Sequence, residues 1–447
     1  MDRLKQSTPD EITFVISSLI GLHTATPYID ELKRRNIKIY FIVPAGLENE
    51  SVLQGAGNII IIDRLFTLNK VIVLLYNLSR LAFTRGDFSS VYQYWLQQHF
   101  AARSKLISFF GKALVDFFPK WNSNQVNQNL LSFFRLFIEN KIPTERVVNV
   151  TFASKPYLFC ADDLQVYTIV ESWDHPGKVP VGYPSKKVFV WNQDLQADWR
   201  EFQGDQHVEI AYPVKLDYVI RAYKSQQFKQ LNQSYSPGFQ ENLRKNYMYS
   251  STFGSNSVSV FFEEEKIFIH QVCKATENTD IRLLIKPKPN SRSGELDEFL
   301  AYPHVEIAGY QKSQGAGNYT LGKDYNEARL KELGESDLVI NLGTTFALDA
   351  AAFGLPVLQL YVDVPSKFPY LSTISKYPHL ARHLYCYEDC IFKISDGSDL
   401  AEQFKFLSSP ADHMDKAKQF SKHLRQWIMP EMTLSEAVEN VVDSILE

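Results

Sequence analysis

The stretch that most constrains how this chain can fold is Ser336-Asp337-Leu338-Val339-Ile340-Asn341-Leu342-Gly343-Thr344-Thr345-Phe346-Ala347-Leu348-Asp349-Ala350-Ala351-Ala352-Phe353-Gly354-Leu355-Pro356-Val357-Leu358-Gln359-Leu360. It reads as strand, tight turn, short helix, strand. Asp337 to Leu342 is a short apolar run of buried-strand type, and Gly343 permits a sharp turn. Thr344 and Thr345 are placed to cap a helix whose Ala-rich body lies close on a sheet. Gly354 and Pro356 stop it.

Such a unit makes an anion site at its helix start, where free backbone N–H groups and the positive end of the dipole point outward. Asp349 lies four residues after Thr345, so both project from one helix face, and its carboxylate is placed to accept hydrogen bonds from ribose hydroxyls. Spacing alone leaves open an ordinary buried βαβ crossover whose threonines merely cap. A second basic turn upstream favours the anion reading. In Arg282-Leu283-Leu284-Ile285-Lys286-Pro287-Lys288-Pro289 an apolar strand ends in two lysines stiffened by flanking prolines. Ligands of open parallel sheets bind beyond the carboxyl ends of the strands, which aims Lys286 and Lys288 at the crevice of Thr344 and Thr345; taken alone, the stretch reads equally as a solvated basic turn. A helix terminus contributes only about 0.3–2 kcal/mol to an anion, whereas micromolar nucleotide binding needs roughly 8 kcal/mol. Fixed cations are therefore expected beside it.

With 447 residues the chain has room for two ordinary domains with full cores. Its 45% apolar and 22% charged residues mark a globular protein, and a net charge of −4 gives no reason to expect nucleic acid as a partner. Four cysteines, Cys160, Cys273, Cys386 and Cys390, are too scattered for a disulfide framework. A reducing cytoplasm is the expectation. Cys386 and Cys390, even with His379 and His383 nearby, lack zinc-site spacing, so no metal is expected. The amino terminus lacks the layout of a signal peptide, and no run approaches the ~18 apolar residues of a membrane span.

From the amino end, Ile12 to Ile20 has a buried-strand pattern, Pro27 to Arg35 reads as helix, and Ile37 to Val43 as a second strand, a βαβ opening. The turn Gly21-Leu22-His23-Thr24 holds one glycine, so a dinucleotide fingerprint is absent. His23 reads either as a crevice residue or as a capping or packing one. A strand at Asn58 to Ile62 comes next, and then the alternation breaks. From Leu65 to about Lys141 the pattern is helical and densely aromatic, in a chain with 31 Phe and 23 Tyr. Buried helices over the first sheet are one reading. The other is a partly exposed apolar face, with Arg80, Arg85, Arg103, Lys105 and Lys112 meeting anionic lipid or a lipid-linked substrate.

Strands resume at Arg146 to Phe152 and Leu164 to Val170. The latter ends in Glu171-Ser172-Trp173-Asp174-His175-Pro176-Gly177-Lys178, where acid, base and turn formers crowd together. This reads as a catalytic loop or as a capped turn. Lys187 to Trp191, a helix over Gln193 to Gln203 and His207 to Ala211 complete the first block. A second alternating block starts with a strand from Tyr247 that ends in Ser250-Ser251-Thr252. The division expected is 1–216, an α/β domain with a helical insertion at about 65–141; 217–244, a polar linker; 245–420, a second α/β domain; and 421–447, a C-terminal helix.

Two successive α/β domains with a phosphate-cradling helix in the second are the layout of glycosyltransferases with the B-type fold, in which two Rossmann-like domains face a central cleft. The motifs go further. Val170-Glu171-Ser172-Trp173-Asp174-His175, Val188-Phe189-Val190-Trp191-Asn192, Ile285-Lys286-Pro287-Lys288-Pro289 and the run from Ser336 through Gly343-Thr344-Thr345 to Gly354-Leu355-Pro356-Val357 resemble, in order, bacterial surface-polysaccharide glycosyltransferases related to the glycerophosphotransferases of teichoic acid synthesis. The resemblance covers roughly residues 165–215 and 245–385. Where such relatives often carry Arg-Pro-His-Pro and a helix Glu, this chain has Lys286-Pro287-Lys288-Pro289 and Asp349, which keep charge and hydrogen-bonding type.

The resemblance implies transfer of a sugar from a nucleotide sugar to a glycan or lipid-linked glycan acceptor without a bound metal or other cofactor; a cytoplasmic protein is expected, held at the inner face of the cell membrane by the aromatic segment if the acceptor is lipid-linked. It places the donor on the carboxyl domain, where Lys286, Lys288, Thr344 and Thr345 would hold its phosphates; Ser250, Ser251, Gly343 and Asp349 complete the expected binding set. The acceptor falls to the amino domain, where Asp174, directly after a strand end, is the expected general base if the enzyme inverts, with Glu171 and His23 as the fallback candidates. A CDP-polyol phosphotransferase, a sugar-nucleotide epimerase and a non-catalytic sugar-nucleotide-binding subunit are the alternatives.

Overall fold

The computed structural model describes residues 11–16, 18–53, 58–61, 142–150, 164–173, 176, 185–204, 207–225, 245–254, 259–288, 291–308, 325–374, 378–396 and 399–447. The aromatic segment at about 65–141, Asp174 with His175, and the greater part of the polar stretch 217–244 lie outside them.

The described chain forms two units. In the first, β1 (Glu11–Val15), β2 (Lys38–Val43), β3 (Asn58–Ile61), β4 (Arg146–Asn149), β5 (Gln165–Ile169), β6 (Lys187–Val190) and β7 (His207–Ile210) make one sheet in the order β3-β2-β1-β4-β5-β6-β7. Every neighbouring pair is parallel. The short apolar runs that read as buried strands are buried, with Phe14, Val15, Phe41, Val148, Tyr167 and Val190 all fully enclosed.

The first helix, α1 (Leu19–Arg34), starts eight residues before its expected position. Ser18 is extended at φ −149° and its Oγ accepts from the Gly21 N–H at 2.9 Å, so the run Ile12 to Ile20 splits into a strand and the first turn of a helix. Pro27 sits inside the helix. It fixes a helical φ and removes only one N–H, while the Thr26 hydroxyl bonds the Leu22 carbonyl at 2.8 Å. Helix α2 (Gln193–Gln203) is capped by Asn192, whose Oδ1 accepts from Leu195 N.

The second unit begins with α3 (Asp217–Lys224), a helix where a linker was expected. Its sheet consists of β8 (Lys245–Ser250), β9 (Ile281–Lys286), β10 (Val305–Ile307), β11 (Leu338–Asn341), β12 (Val357–Asp363) and β13 (Ile391–Ser395), in the order β10-β9-β8-β11-β12-β13 and parallel throughout. The helices between these strands include α4 (Ser259–Thr276), α5 (Tyr325–Gly334) and α6 (Phe346–Phe353). Helix α6 is buried at every position, and α3 packs against it. Gly354 ends it at φ +96°, a conformation in which a Cβ would be strained.

The tail expected as one C-terminal helix is two, α7 (Pro410–Ile428) in the second unit and α8 (Leu434–Leu446) in the first. Helix α8 opens with a capping box between Thr433 and Glu436 and buries Ala437, Val438, Val441, Val442 and Ile445. It packs on α1, and Arg35 pairs with Asp443 beside Lys187, which donates to Ser444 Oγ at 2.5 Å. Among the described residues no helix is long and apolar enough to cross a membrane.

Candidate functional site

In the second sheet, chain order reverses between β8 and β11. A crevice opens at the carboxyl ends of strands where neighbouring crossovers leave on opposite sides, and ligands of open α/β sheets bind there. The register brings three strand ends into line at this point. Ser250 pairs with Lys286 on one side and with Asn341 on the other. Ser250 Oγ then lies 3.2 Å from Thr344 Oγ1, so the hydroxyls of two predicted site residues touch across the switch point.

Asn341 shapes the turn above. Its Oδ1 accepts from the Thr344 N–H at 3.0 Å and from the Thr344 hydroxyl at 2.7 Å, while its amide donates to Gln359 Oε1 at 2.7 Å. The side chain imitates a backbone turn and fixes the loop just before the helix. This corrects the expectation that the threonines cap α6. Thr345 occupies the N-cap position in a helical conformation and makes no side-chain cap bond. Gly343 is needed for space rather than for a left-handed turn, since only Gly46, Gly204, Gly294 and Gly354 have positive φ among the described glycines. A Cβ on Gly343 would lie 3.2 Å from Ile374 Cγ2.

The charged residues are arranged differently from the expectation of open cations. Lys286 is buried and forms an ion pair with Glu332 of α5. Burial lowers its pKa, opposed by the Glu332 charge. Asp349 is 2% exposed. Its Oδ2 lies 2.6 Å from Arg329 Nη2 and its Oδ1 accepts from the Tyr218 hydroxyl at 2.6 Å. Both oxygens of the carboxylate expected to meet a ribose therefore serve within the protein. Phe346 lies beneath both cations, with the Arg329 guanidinium 4.6 Å and Lys286 Nζ 5.6 Å from its ring centroid. Lys288, two residues beyond the strand, is partly exposed.

Ser251 turns away from this cluster. Its hydroxyl bonds the Phe253 carbonyl at 2.8 Å and Glu265 Oε2 at 3.1 Å. Glu265, fully buried on α4, also accepts from the backbone N–H of Thr252 at 2.7 Å and of Phe253 at 2.8 Å, and from the Tyr249 hydroxyl at 3.1 Å. It fixes the loop after β8. Burial pushes its pKa up to about 7, against the pull of those four donors.

In the first unit, the predicted Glu171 stands just past β5, half-buried, and its Oε2 accepts from the Ser18 hydroxyl at 3.4 Å, at the cap of α1. His23 is exposed on α1, with its pKa lowered by desolvation and raised by the charge of Glu50. The structure thus places both fallback candidates around the start of one helix. Among the described residues no group of three His, Cys, Asp or Glu side chains is disposed to hold a metal ion.

Five residues that shape the second-unit site escaped the sequence reading: Asn341, Glu265, Arg329, Glu332 and Tyr218. Asn341 had a local signal, an Asn three residues before a threonine at a strand end. Arg329 and Glu332, spaced i and i+3 on one helix face, give no sign of the partners they reach.

No family model matches the chain, and no curated protein matches it either. Solved structures align along nearly its whole length. MurG of Acinetobacter baumannii covers 97% of this chain and 99% of its own at 11% identity and a TM-score of 0.47. UDP-GlcNAc 2-epimerase from Neisseria meningitidis covers 98% and 99% at 11% identity and 0.49. A glycosyltransferase from Rickettsia africae covers 98% of each at 11% and 0.45. At such values the likenesses assign no residue a role and no reaction. The strand orders themselves carry the architectural conclusion: this is an α/β protein of two Rossmann-like domains, each a parallel sheet wound in both directions from its first strand.

Proposed function

We propose that the protein is a glycosyltransferase that moves a sugar from a nucleotide sugar to a glycan or lipid-linked glycan of a bacterial surface polysaccharide. The observation that carries this reading is the meeting of Ser250, Lys286 and Thr344 at the switch point of the second sheet, beside the start of α6. Backbone N–H groups and a helix terminus there favour an anion, as a leaving phosphate requires. The motif resemblance through Lys286-Pro287-Lys288 and Gly343-Thr344-Thr345 supplies the reaction class.

In this reading the donor phosphates lie over Thr344 and Thr345 with Lys286 and Lys288 as counter-charges. The acceptor hydroxyl oxygen forms a bond to the anomeric carbon while the bond from that carbon to the phosphate oxygen breaks. The nucleoside phosphate leaves with the electron pair, and a carboxylate of the amino domain, Asp174 or Glu171, takes the hydroxyl proton. The metal-free course and a position at the cytoplasmic face of the membrane belong to the same proposal.

The test is product analysis with UDP-, GDP-, dTDP-, CDP- and CMP-activated donors. Release of a nucleoside phosphate with a new glycosidic bond supports the reading. A phosphodiester product assigns the protein to polyol-phosphate transfer instead, and saturable binding without turnover assigns it to a binding subunit.

A further inference from the structure

Lys286 is locked in place: its side chain is 10% exposed, and it ends a central strand pair directly beside Ser250. An ammonium so enclosed requires an anion next to it, because a buried charge without a partner is strongly unfavourable. Glu332 supplies that anion, and its side chain is twice as open, at 20%. The two ends of this ion pair are therefore unequal. The carboxylate side chain is the more open of the two.

A second ion pair, Arg329 to Asp349, ties α5 to α6 three residues earlier on α5, and both cations lie against the Phe346 ring. Helix α5 thus stays attached through Arg329 when the Glu332 side chain turns outward. A neutral ligand cannot take the place of Glu332, since it would leave Lys286 uncompensated. A phosphate can, and it brings more charge and more acceptor oxygens than a carboxylate does.

We propose that Glu332 is a specificity-determining residue, a resident competitor for Lys286 that only a phosphate-bearing ligand displaces. This rests on the nucleotide-binding reading of the same site and adds to it how a charged donor is selected over an uncharged nucleoside. Discrimination here comes from a group that the wrong ligand would strand.

The test measures binding of UDP, CDP, GDP and dTDP, and of the matching uncharged nucleosides, to the full-length wild type and Glu332→Gln by calorimetry. If the competing contact is held nine-tenths of the time, its removal tightens apparent affinity for the preferred nucleotide by about tenfold, with nucleoside affinity unchanged. Equal or weaker nucleotide binding by a folded Glu332→Gln overturns the proposal. A wild type that binds none of the nucleotides overturns the functional reading itself, and with it this inference. Crystals of wild type soaked in sodium pyrophosphate keep the question open to decision should the variant not fold. Pyrophosphate oxygen on Lys286 Nζ with Glu332 turned to solvent supports the proposal. Glu332 still on Lys286, whether or not pyrophosphate is bound nearby, refutes it.

Discussion

Arg329 and Asp349 form an ion pair of 2.6 Å in which the side chains are only 10% and 3% exposed. The pair joins α5 to α6, and Tyr218 of α3 completes the carboxylate's shell from the other side. Three helices of the second unit are thereby fixed to one buried oxygen pair above the switch point.

Breaking that pair by one partner leaves the other charge buried. Asp349→Asn is expected to cost roughly 3–5 kcal/mol, and the double variant Arg329→Met with Asp349→Leu to recover most of it. Urea denaturation of the three proteins checks this. Equal losses in the single and double variants would mean that packing rather than charge compensation holds the three helices.

Lys288→Ala is the cleaner probe of anion binding, because Lys286→Ala also leaves Glu332 beside a cavity. Each should weaken nucleotide binding by about 1.5–3 kcal/mol through loss of a charge-assisted contact. Titration of both variants against the same nucleotide decides the matter, and unchanged affinity in both would remove the lysines from the site.

Glu265 gives the second unit a pH dependence. Its folded pKa is raised from 4.5 to about 7 by burial. The folded state therefore binds the proton more tightly than the unfolded chain, and stability is highest below the unfolded value. That stability is lost as pH rises from about 4.5 to about 7, by about 3 kcal/mol at 1.36 kcal/mol per pH unit. Denaturation of wild type and Glu265→Gln across pH 5 to 8 separates this from other groups: the difference between the two should change over that window and level off above it.

Helix α8 closes the first unit, although it comes after the second in sequence. Thr433→Ala removes a capping box and should cost about 1 kcal/mol. Ile445→Ala, at a fully buried position, should cost about 2–5 kcal/mol. Hydrogen exchange along α1, on which α8 packs, reads the effect locally.

For the chemical step, Asp174→Asn should lower turnover by about 10²–10⁴ with little change in nucleotide affinity if Asp174 is the base. The same loss in Glu171→Gln instead would assign the role to the carboxylate beside Ser18. Steady-state rates and nucleotide affinities, measured together, separate a base from a structural residue.

By itself the sequence determined most of the strands and their order. Apolar runs of strand length, the stops at Gly354 and Pro356, and the alternation of periods are local properties, so the strands at Lys38–Val43, Arg146–Asn149, Ile281–Lys286 and Leu338–Asn341 were legible within a few residues. Once parallel strands wind outward from a first strand, the carboxyl ends are where Ser250, Lys286 and Thr344 must meet. The early start of α1 was less legible, because the strand pattern of Ile12 to Ile20 and the cap at Ser18 compete in the same residues and a side-chain hydrogen bond decides between them. Only the tertiary structure decided which charges compensate one another. Lys286 finds its carboxylate 46 positions away, and Arg329 and Asp349 are 20 apart. No local spacing encodes such pairs, since burial at the carboxyl ends of the strands is what forces each cation to take a partner, and the placing of α5 beside β9 and α6 is what selects it.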